Sequence, residues 1–118
     1  MGGKVYVMDD DPAMRDSMLG SAGFSVRLFD SAQIFLNELP SLEIGCVVTD
    51  IRMPGIDGIE LLHQLGPASG NRALPVIVMT GHGEVPLAVE AMKLGALDFL
   101  EKPFEDERLI GMIETALS

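Results

Sequence analysis

Short apolar runs rich in β-branched residues alternate along the chain with segments that have a helical spacing of apolar residues. Each run has the length of a strand, and Gly, Pro or Asp residues bound most of them. They predict five strands, at residues 4–8, 24–29, 45–49, 75–80 and 96–100. The run at 76–79 is apolar throughout, which indicates a strand buried on both faces of a parallel sheet.

The segments between these runs predict helices, because their apolar residues recur every three or four positions. A first helix begins near Pro12 and is short, since Gly20 and Gly23 interrupt its pattern. Four more are predicted at residues 34–39 after a cap at Asp30 or Ser31, at 59–65, at 85–94 before Gly95, and at 107–117. Residues 66–73 are predicted to form a surface loop. The alternation of strand and helix predicts a doubly wound α/β fold with a five-stranded parallel sheet in the order 2-1-3-4-5.

Polar residues follow the predicted strands and gather at one edge of that sheet. They are Asp9, Asp10 and Asp11 after the first strand, Asp50 after the third, Thr80 at the end of the fourth and Lys102 after the fifth. Each residue alone has an ordinary structural explanation, such as a solvated turn or a helix cap. Because ligands of open α/β sheets bind outside the carboxyl ends of the strands, the whole set predicts a site at this edge.

The chemistry of this set indicates phosphoryl transfer with a divalent metal. Clustered carboxylates repel one another unless a cation lies between them, and oxygen ligands favour Mg²⁺, for which Mn²⁺ is an acceptable substitute. The ammonium of Lys102 and the hydroxyl of Thr80 supply donors for phosphoryl oxygens. The chain lacks a glycine-rich phosphate loop, so a nucleotide is not the expected ligand. An aspartate can itself accept a phosphoryl group as an acyl phosphate.

Length and charge narrow the class of protein. The chain has 118 residues, enough for one domain over residues 1–118, and its 18 acidic and 8 basic side chains give a net charge of −10. That charge opposes direct binding to nucleic acid or anionic lipid. No apolar run approaches the roughly 18 residues of a membrane span, so we expect a cytoplasmic protein. The single cysteine, Cys46, excludes an intrachain disulfide and is predicted to be a buried, inert thiol.

Four segments together carry a resemblance to a known family. They are Val7-Met8-Asp9-Asp10-Asp11, Val48-Thr49-Asp50-Ile51-Arg52-Met53-Pro54, Met79-Thr80-Gly81 and Phe99-Leu100-Glu101-Lys102-Pro103-Phe104. In this combination the chain resembles the receiver domain of a two-component response regulator over essentially its whole length. The run at residues 80–93 is similar to the FixJ-like branch of transcriptional regulators. The resemblance implies the flavodoxin-like fold of CheY-like receivers.

The resemblance assigns roles to the residues at the sheet edge. Asp50 would accept a phosphoryl group from a phosphohistidine of a sensor histidine kinase. Mg²⁺ would be held by Asp10, Asp50 and the backbone carbonyl of Arg52, with Asp9 acting through a water. The remaining implied roles are phosphoryl binding by Lys102, Thr80 Oγ and the backbone N–H groups of Ile51 and Gly81, and tuning of the phosphoryl lifetime by Arg52 and His82.

The resemblance also implies a conformational response to phosphorylation. Thr80 would move toward Asp50, Phe99 would turn inward, and the face formed by the fourth predicted helix and the fifth strand would become a homodimer contact. Such a domain is a signalling phosphoacceptor with self-catalysed phosphotransfer and slow self-dephosphorylation, and not an enzyme. FixJ-like regulators also carry a C-terminal helix-turn-helix DNA-binding domain, so the chain is expected to be either a fragment or a stand-alone receiver.

The sequence differs from the family pattern in its first helix, and three other interpretations of the residues compete with the receiver interpretation. Between Arg15 and Gly23 the chain is about three residues shorter than is usual for the family, which would remove close to one turn of the first helix. A haloacid-dehalogenase-like phosphatase also forms an aspartyl phosphate, but that family places a threonine or valine where Ala13 stands. A flavodoxin-like FMN binder needs a hydroxyl-rich phosphate loop in place of the three aspartates. The last alternative is a receiver-like interaction module that is not phosphorylated.

Overall fold

Five strands form where the apolar and β-branched residues are densest. The computed structural model describes residues 3–8, 23–52, 55, 57–65, 74–81 and 83–117. Its strands are β1 (Lys4–Met8), β2 (Ser25–Phe29), β3 (Cys46–Asp50), β4 (Val76–Thr80) and β5 (Asp98–Glu101). The predicted strands are therefore confirmed, with starts one or two residues later for the last four. Asp50 is the last residue of β3 instead of the residue after it.

Four α-helices are described, and each of them was predicted. They are α1 (Ala32–Glu38), α2 (Gly58–Leu65), α3 (Val85–Lys93) and α4 (Asp106–Leu117), with a 3-10 helix at Leu39–Ser41 after α1. These labels count the described helices alone, so α3 is the fourth helix predicted from the sequence. The helix predicted near Pro12, its shortening before Gly23 and the predicted loop at 66–73 lie outside the described residues.

Local hydrogen bonds explain where two of these helices begin. Ser31 caps α1, because its side-chain oxygen accepts a hydrogen bond of 3.2 Å from the Ile34 N–H. Asp57 does the same for α2, accepting a bond of 2.9 Å from the Glu60 N–H. Gly95, with a φ of 108°, follows the end of α3 in a conformation that favours glycine. The sequence left Asp30 and Ser31 open as capping residues for this helix, and the structure shows that Ser31 is the cap.

The strands form one parallel sheet in the order β2-β1-β3-β4-β5, which confirms the predicted topology. The register pairs Met8 with Thr49, Asp50 with Met79 and Thr80 with Glu101. The carboxyl ends of β1, β3, β4 and β5 consequently lie at one edge. The strand order reverses between β1 and β3, which is the place where open α/β sheets bind ligands.

The core has two layers, one on each face of the sheet. On one face, strand residues such as Tyr6 and Val78 pack with Phe35 of α1 and Leu61 of α2. On the other face, residues such as Val48 and Met79 pack with α4. Because β1, β3 and β4 are covered on both sides, they read as continuous apolar runs in the sequence. The described part of the chain contains no helix that is long and apolar enough to cross a membrane.

Cys46 lies at the start of β3 and is fully buried, as predicted. Burial raises the pKa of its thiol to about 12, because the thiolate would lose its hydration without gaining a compensating partner. A thiol with so high a pKa is a poor nucleophile at neutral pH. The structure therefore supports the interpretation of Cys46 as an inert core residue.

Candidate functional site

Asp50 and Lys102 meet at the carboxyl edge of the sheet. The Lys102 Nζ donates a hydrogen bond of 3.0 Å to Asp50 Oδ2, and the side chains are 26% and 16% exposed. The pair is thus sheltered but reachable from solvent, as a carboxylate that reacts with an outside donor must be. Lys102 directly follows β5, and its peptide bond to Pro103 is cis. A charge-assisted hydrogen bond of this kind holds the lysine ammonium against Asp50, the carboxylate predicted from the sequence to be the phosphoacceptor.

A close approach of α2 to the end of β3 helps to hold Asp50 in place. Gly58, the first residue of α2, donates its N–H to the carbonyl of Ile51 at 3.1 Å. A Cβ at Gly58 would lie 2.9 Å from Ile51 Cα, closer than real Cβ atoms come, and 3.0 Å from the Asp50 carbonyl oxygen, which is tighter than most real contacts. Glycine therefore permits the contact between the helix and the strand end that carries Asp50.

Thr80 is the last residue of β4, and its side chain carries a hydroxyl that can donate a hydrogen bond. Its side chain is fully buried. Within the part of the chain that the structure describes, Thr80 Oγ1 has no hydrogen-bond partner. A buried hydroxyl without a partner carries a free-energy cost, which native structures usually avoid. Thr80 lies one residue beyond Met79, the register partner of Asp50. The Thr80 hydroxyl is therefore a hydrogen-bond donor that could serve a group bound at the candidate phosphoacceptor, Asp50.

The two backbone amides that the resemblance assigns to phosphoryl binding both have acceptors already. The Ile51 N–H donates to the carbonyl of Met79 at 2.8 Å, which extends the pairing of β3 with β4 by one residue. The Gly81 N–H donates to Glu84 Oε1 at 2.7 Å. Neither amide is thus a free donor in this structure. A phosphoryl oxygen would have to share or replace these acceptors.

Arg52 and Glu84 form an ion pair that the sequence analysis did not identify. Arg52 Nε lies 2.6 Å from Glu84 Oε2, and the other oxygen of the same carboxylate accepts the Gly81 N–H. Glu84 is 20% exposed, whereas Arg52 is 69% exposed. The acidic residue before a helix start was a visible signal, because acidic side chains are common there. Its pairing with Arg52 joins two loops and has no local sequence signature.

Phe99 lies in β5 with its side chain half-buried. It packs against the core layer that includes α1 and α2. It also lines a cavity of about 680 Å³ with residues of β5, the following loop and the start of α4. The side chain is therefore partly open to solvent, and an inward rotation of the kind predicted would bury it further.

The metal ligands predicted from the sequence are only partly within the described residues. Asp9, Asp10 and His82 lie outside them, whereas Asp50 and Arg52 lie inside. Residues 3–8, 23–52, 55, 57–65, 74–81 and 83–117 hold no cluster of three Asp, Glu, His or Cys side chains that could bind a metal. The donors present fit part of a Mg²⁺ site, because the Asp50 carboxylate and the Arg52 carbonyl are hard oxygen ligands.

Comparison with known proteins identifies the family. Residues 5–114 match the response regulator receiver domain. The chain belongs to this family, and its five-stranded parallel sheet is the fold of CheY-like receivers. This result confirms the resemblance drawn from the four sequence segments.

The branch is also identified, because the chain is similar to several FixJ proteins. It is 64% identical to the transcriptional regulatory protein FixJ of Bradyrhizobium diazoefficiens, over 98% of this chain and 57% of that protein. It is 50% identical to FixJ of Rhizobium meliloti, over 95% of this chain and 55% of that protein. The chain thus spans little more than half the length of these relatives.

Solved structures give the same result. The full-length FixJ structure from B. japonicum matches with a TM-score of 0.89 at 64% identity, over 98% of this chain and 57% of that one. The structure titled FixJ-N matches with a TM-score of 0.87 at 48% identity, over 98% and 94% of the two chains. The chain is a FixJ-like receiver domain.

Proposed function

We propose that this chain accepts a phosphoryl group on Asp50 from a sensor histidine kinase in a Mg²⁺-dependent reaction. We propose also that the modification changes the surface formed by α3 and β5, which we call the output face. The observation that carries the proposal is the contact of 3.0 Å between Lys102 Nζ and Asp50 Oδ2 at the carboxyl edge of the sheet. The Thr80 hydroxyl, which has no hydrogen-bond partner among the described residues, supports it, because phosphorylation of Asp50 would supply that hydroxyl with an acceptor.

The reaction is a transfer between two protein side chains. A carboxylate oxygen of Asp50 attacks the phosphorus of a phosphohistidine, and a P–O bond forms. The P–N bond breaks, and its electron pair stays on the imidazole nitrogen, which takes a proton from solvent. Lys102 neutralises negative charge on the phosphoryl oxygens, and Thr80 Oγ1 donates to one of them. This arrangement lowers the barrier by positioning and electrostatic stabilisation, as in other phosphoryl transfers.

Mg²⁺ fits the proposed chemistry. Asp50, the Arg52 backbone carbonyl and Asp10 would hold the ion, with Asp9 acting through a water, and Mn²⁺ would substitute. When bound, the ion neutralises charge on the phosphoryl oxygens. The self-catalysed transfer and slow self-dephosphorylation then depend on residues of this chain, and Arg52 and His82 would set the lifetime of the product.

The proposed output is dimerisation through α3 and β5. Val85, Val89 and Met92 form a stripe along α3 at positions i, i+4 and i+7, and each is between 39% and 48% exposed. Leu97, just before β5, is a further apolar side chain with 44% exposure. An exposed apolar stripe of this kind favours contact with another protein surface.

We propose that residues 1–118 are one receiver domain. In a longer regulator, dimerisation of this domain would control a helix-turn-helix DNA-binding domain and hence transcription.

Intact-mass spectrometry tests the phosphoacceptor. The wild type and Asp50→Asn are incubated with acetyl phosphate, with and without Mg²⁺. We expect one phosphoryl adduct in the wild type only, dependent on Mg²⁺ and removed by hydroxylamine, as an acyl phosphate is. Asp57→Asn serves as the matched control, because Asp57 caps α2, and it should still form the adduct.

Three results would contradict the proposal. No adduct in a folded wild-type chain would favour the non-phosphorylated interaction module. An adduct that persists in Asp50→Asn would place the acceptor at another carboxylate. Turnover of a chromogenic phosphate ester would favour a phosphatase instead.

A further inference from the structure

The Glu84 carboxylate contacts two residues at the edge of the candidate site, Gly81 and Arg52. One of its oxygens accepts the Gly81 N–H at 2.7 Å, and the other lies 2.6 Å from Arg52 Nε. Gly81 follows Thr80 directly at the end of β4. The carboxylate thus bridges two loops that flank Asp50 and engages an amide that would otherwise face an incoming anion.

The same residue is joined to α3 through its backbone. The Glu84 carbonyl accepts hydrogen bonds from the N–H groups of Leu87 and Ala88, at 3.0 and 3.2 Å, in the first turn of that helix. The Glu84 N–H donates to the Gly81 carbonyl at 3.2 Å, which closes a tight turn. Gly83 within this turn has a φ of 86°, a conformation that side-chain-bearing residues rarely adopt. A displacement that includes the Glu84 main chain would therefore also move the first turn of α3.

A phosphoryl group on Asp50 would conflict with this arrangement. It adds negative charge near a carboxylate that is only 20% exposed, and the two anions repel each other. Both would also compete for one amide donor, because an N–H makes one strong hydrogen bond at a time. The side chain of Arg52 is 69% exposed, which leaves its guanidinium room to change partner.

We propose that Glu84 is an internal competitor of the phosphoryl group: it holds the Gly81 N–H and Arg52 in the unphosphorylated chain, and phosphorylation of Asp50 displaces it and releases the first turn of α3. We call this set of contacts, Glu84 with Gly81 and Arg52, the Glu84 latch. The inference rests on the proposed function and adds a second route from Asp50 to the output face, beside the route through Thr80.

Binding of beryllium trifluoride, an anion that mimics an aspartyl phosphoryl group, tests the latch in the whole chain with Mg²⁺. We expect Glu84→Ala to bind the anion about tenfold more tightly than the wild type, because no charge-assisted hydrogen bond to the amide has to be broken first. Glu84→Gln keeps an acceptor oxygen and loses the charge, so its affinity should fall between the two. Glu90→Ala removes an exposed carboxylate from α3, the helix that follows Glu84, and should bind like the wild type.

The amide signal of Gly81 reports the contact directly in nitrogen-15 NMR spectra. In the wild type its proton should resonate downfield of its position in Glu84→Ala, since a carboxylate acceptor deshields the amide. With beryllium trifluoride bound, the Gly81 signals of the two chains should converge, because the acceptor is then the same. The Leu87 and Ala88 amides should shift on anion binding in the wild type and shift less in Glu84→Ala.

The outcomes separate this inference from the proposed function. Equal anion affinity in the wild type, Glu84→Ala and Glu84→Gln would overturn the latch and leave the phosphoacceptor intact. A Gly81 signal that Glu84→Ala leaves unmoved would also overturn it. Absence of anion binding in every chain, with Asp50→Asn indistinguishable from the wild type, would overturn both proposals together.

Discussion

The backbone N–H of Lys102 donates a hydrogen bond of 2.7 Å to the carbonyl of Thr80. The two residues that would contact phosphoryl oxygens are thus fixed to each other through the main chain, one at the end of β4 and the other after β5. Their side chains have different surroundings: the lysine contacts Asp50, whereas the buried Thr80 hydroxyl has no hydrogen-bond partner in the part of the chain that the structure describes. The sheet therefore positions two donors: the Lys102 ammonium, which already donates to Asp50, and the Thr80 hydroxyl, which has no acceptor among the described residues.

Replacing Thr80 by valine should stabilise the fold and weaken the binding of a phosphoryl analogue. Thr80→Val removes a buried hydroxyl that has no partner within the described ranges, so we expect the free energy of unfolding to rise by about 1 kcal/mol in urea denaturation. The same variant should bind beryllium trifluoride more weakly. Thr49→Val is the matched control, because Thr49 Oγ1 donates to the Asp50 carbonyl at 3.1 Å and its loss should destabilise the chain. Destabilisation by both variants would mean that the Thr80 hydroxyl has a partner in solution.

Loss of the lysine should slow phosphorylation. Lys102→Met removes the ammonium beside Asp50, and we expect the rate of adduct formation with acetyl phosphate to fall by about a hundredfold. Time-resolved intact-mass spectrometry measures this rate. Lys93→Met removes an exposed cation at the end of α3 and should leave the rate unchanged. Equal rates in the two variants would show that Lys102 does not act on the phosphoryl group.

Mg²⁺ should stabilise the fold. At about a hundred times its Kd, the ion should add about 2.7 kcal/mol to the free energy of unfolding, because it binds the folded chain alone. Thermal melts with and without Mg²⁺ measure the shift, and Asp10→Ala should abolish it. Asp57→Ala removes a helix cap and should melt at a lower temperature, but it should keep the full response to Mg²⁺. An unchanged response in Asp10→Ala would move the metal site elsewhere.

The thiol of Cys46 should react only when the chain unfolds. Burial raises the thiol pKa from its ordinary value of 9.0 to about 12. Above pH 9.0 the unfolded chain releases a proton that the folded chain keeps, so the free energy of unfolding should fall as the pH rises toward 12. Urea denaturation across this range measures the fall, and Cys46→Ala should remove this part of the slope. Fast labelling by a thiol reagent at pH 8 in native conditions would contradict the burial.

The stripe on α3 should form the dimer contact. Val89, in the middle of the stripe, is 48% exposed. Val89→Asp places an unpaired carboxylate in that surface, and we expect it to weaken dimerisation of the beryllium trifluoride complex by more than about tenfold. Sedimentation velocity measures the dimer. Ile34→Asp alters an apolar residue of α1 with 43% exposure and should leave the dimer intact. A dimer that survives Val89→Asp and is lost in Ile34→Asp would place the interface on α1.

The sequence alone predicted the class and topology of the fold, because these depend on local periodicity and on the alternation of strand and helix. It also predicted that Asp50, Thr80 and Lys102 share one edge, since the ends of parallel strands must meet there. The family segments carried the receiver assignment for the same reason: their residues lie close together in the chain. Strand limits differed by one or two residues where pairing with a neighbouring strand, and not composition, sets the end.

Only the tertiary structure decided which hydrogen-bonding groups are already engaged. Nothing in the spacing of residues indicates that Met79 and Glu84 hold the two amides predicted to bind phosphoryl oxygens. Nor does it indicate that the Thr80 hydroxyl is buried and finds no hydrogen-bond partner among the residues that the structure describes. The pairing of Arg52 with Glu84 spans two loops, and such contacts depend on how separate elements pack. Periodicity is a property of one element at a time, whereas the occupancy of a donor depends on the elements that surround it.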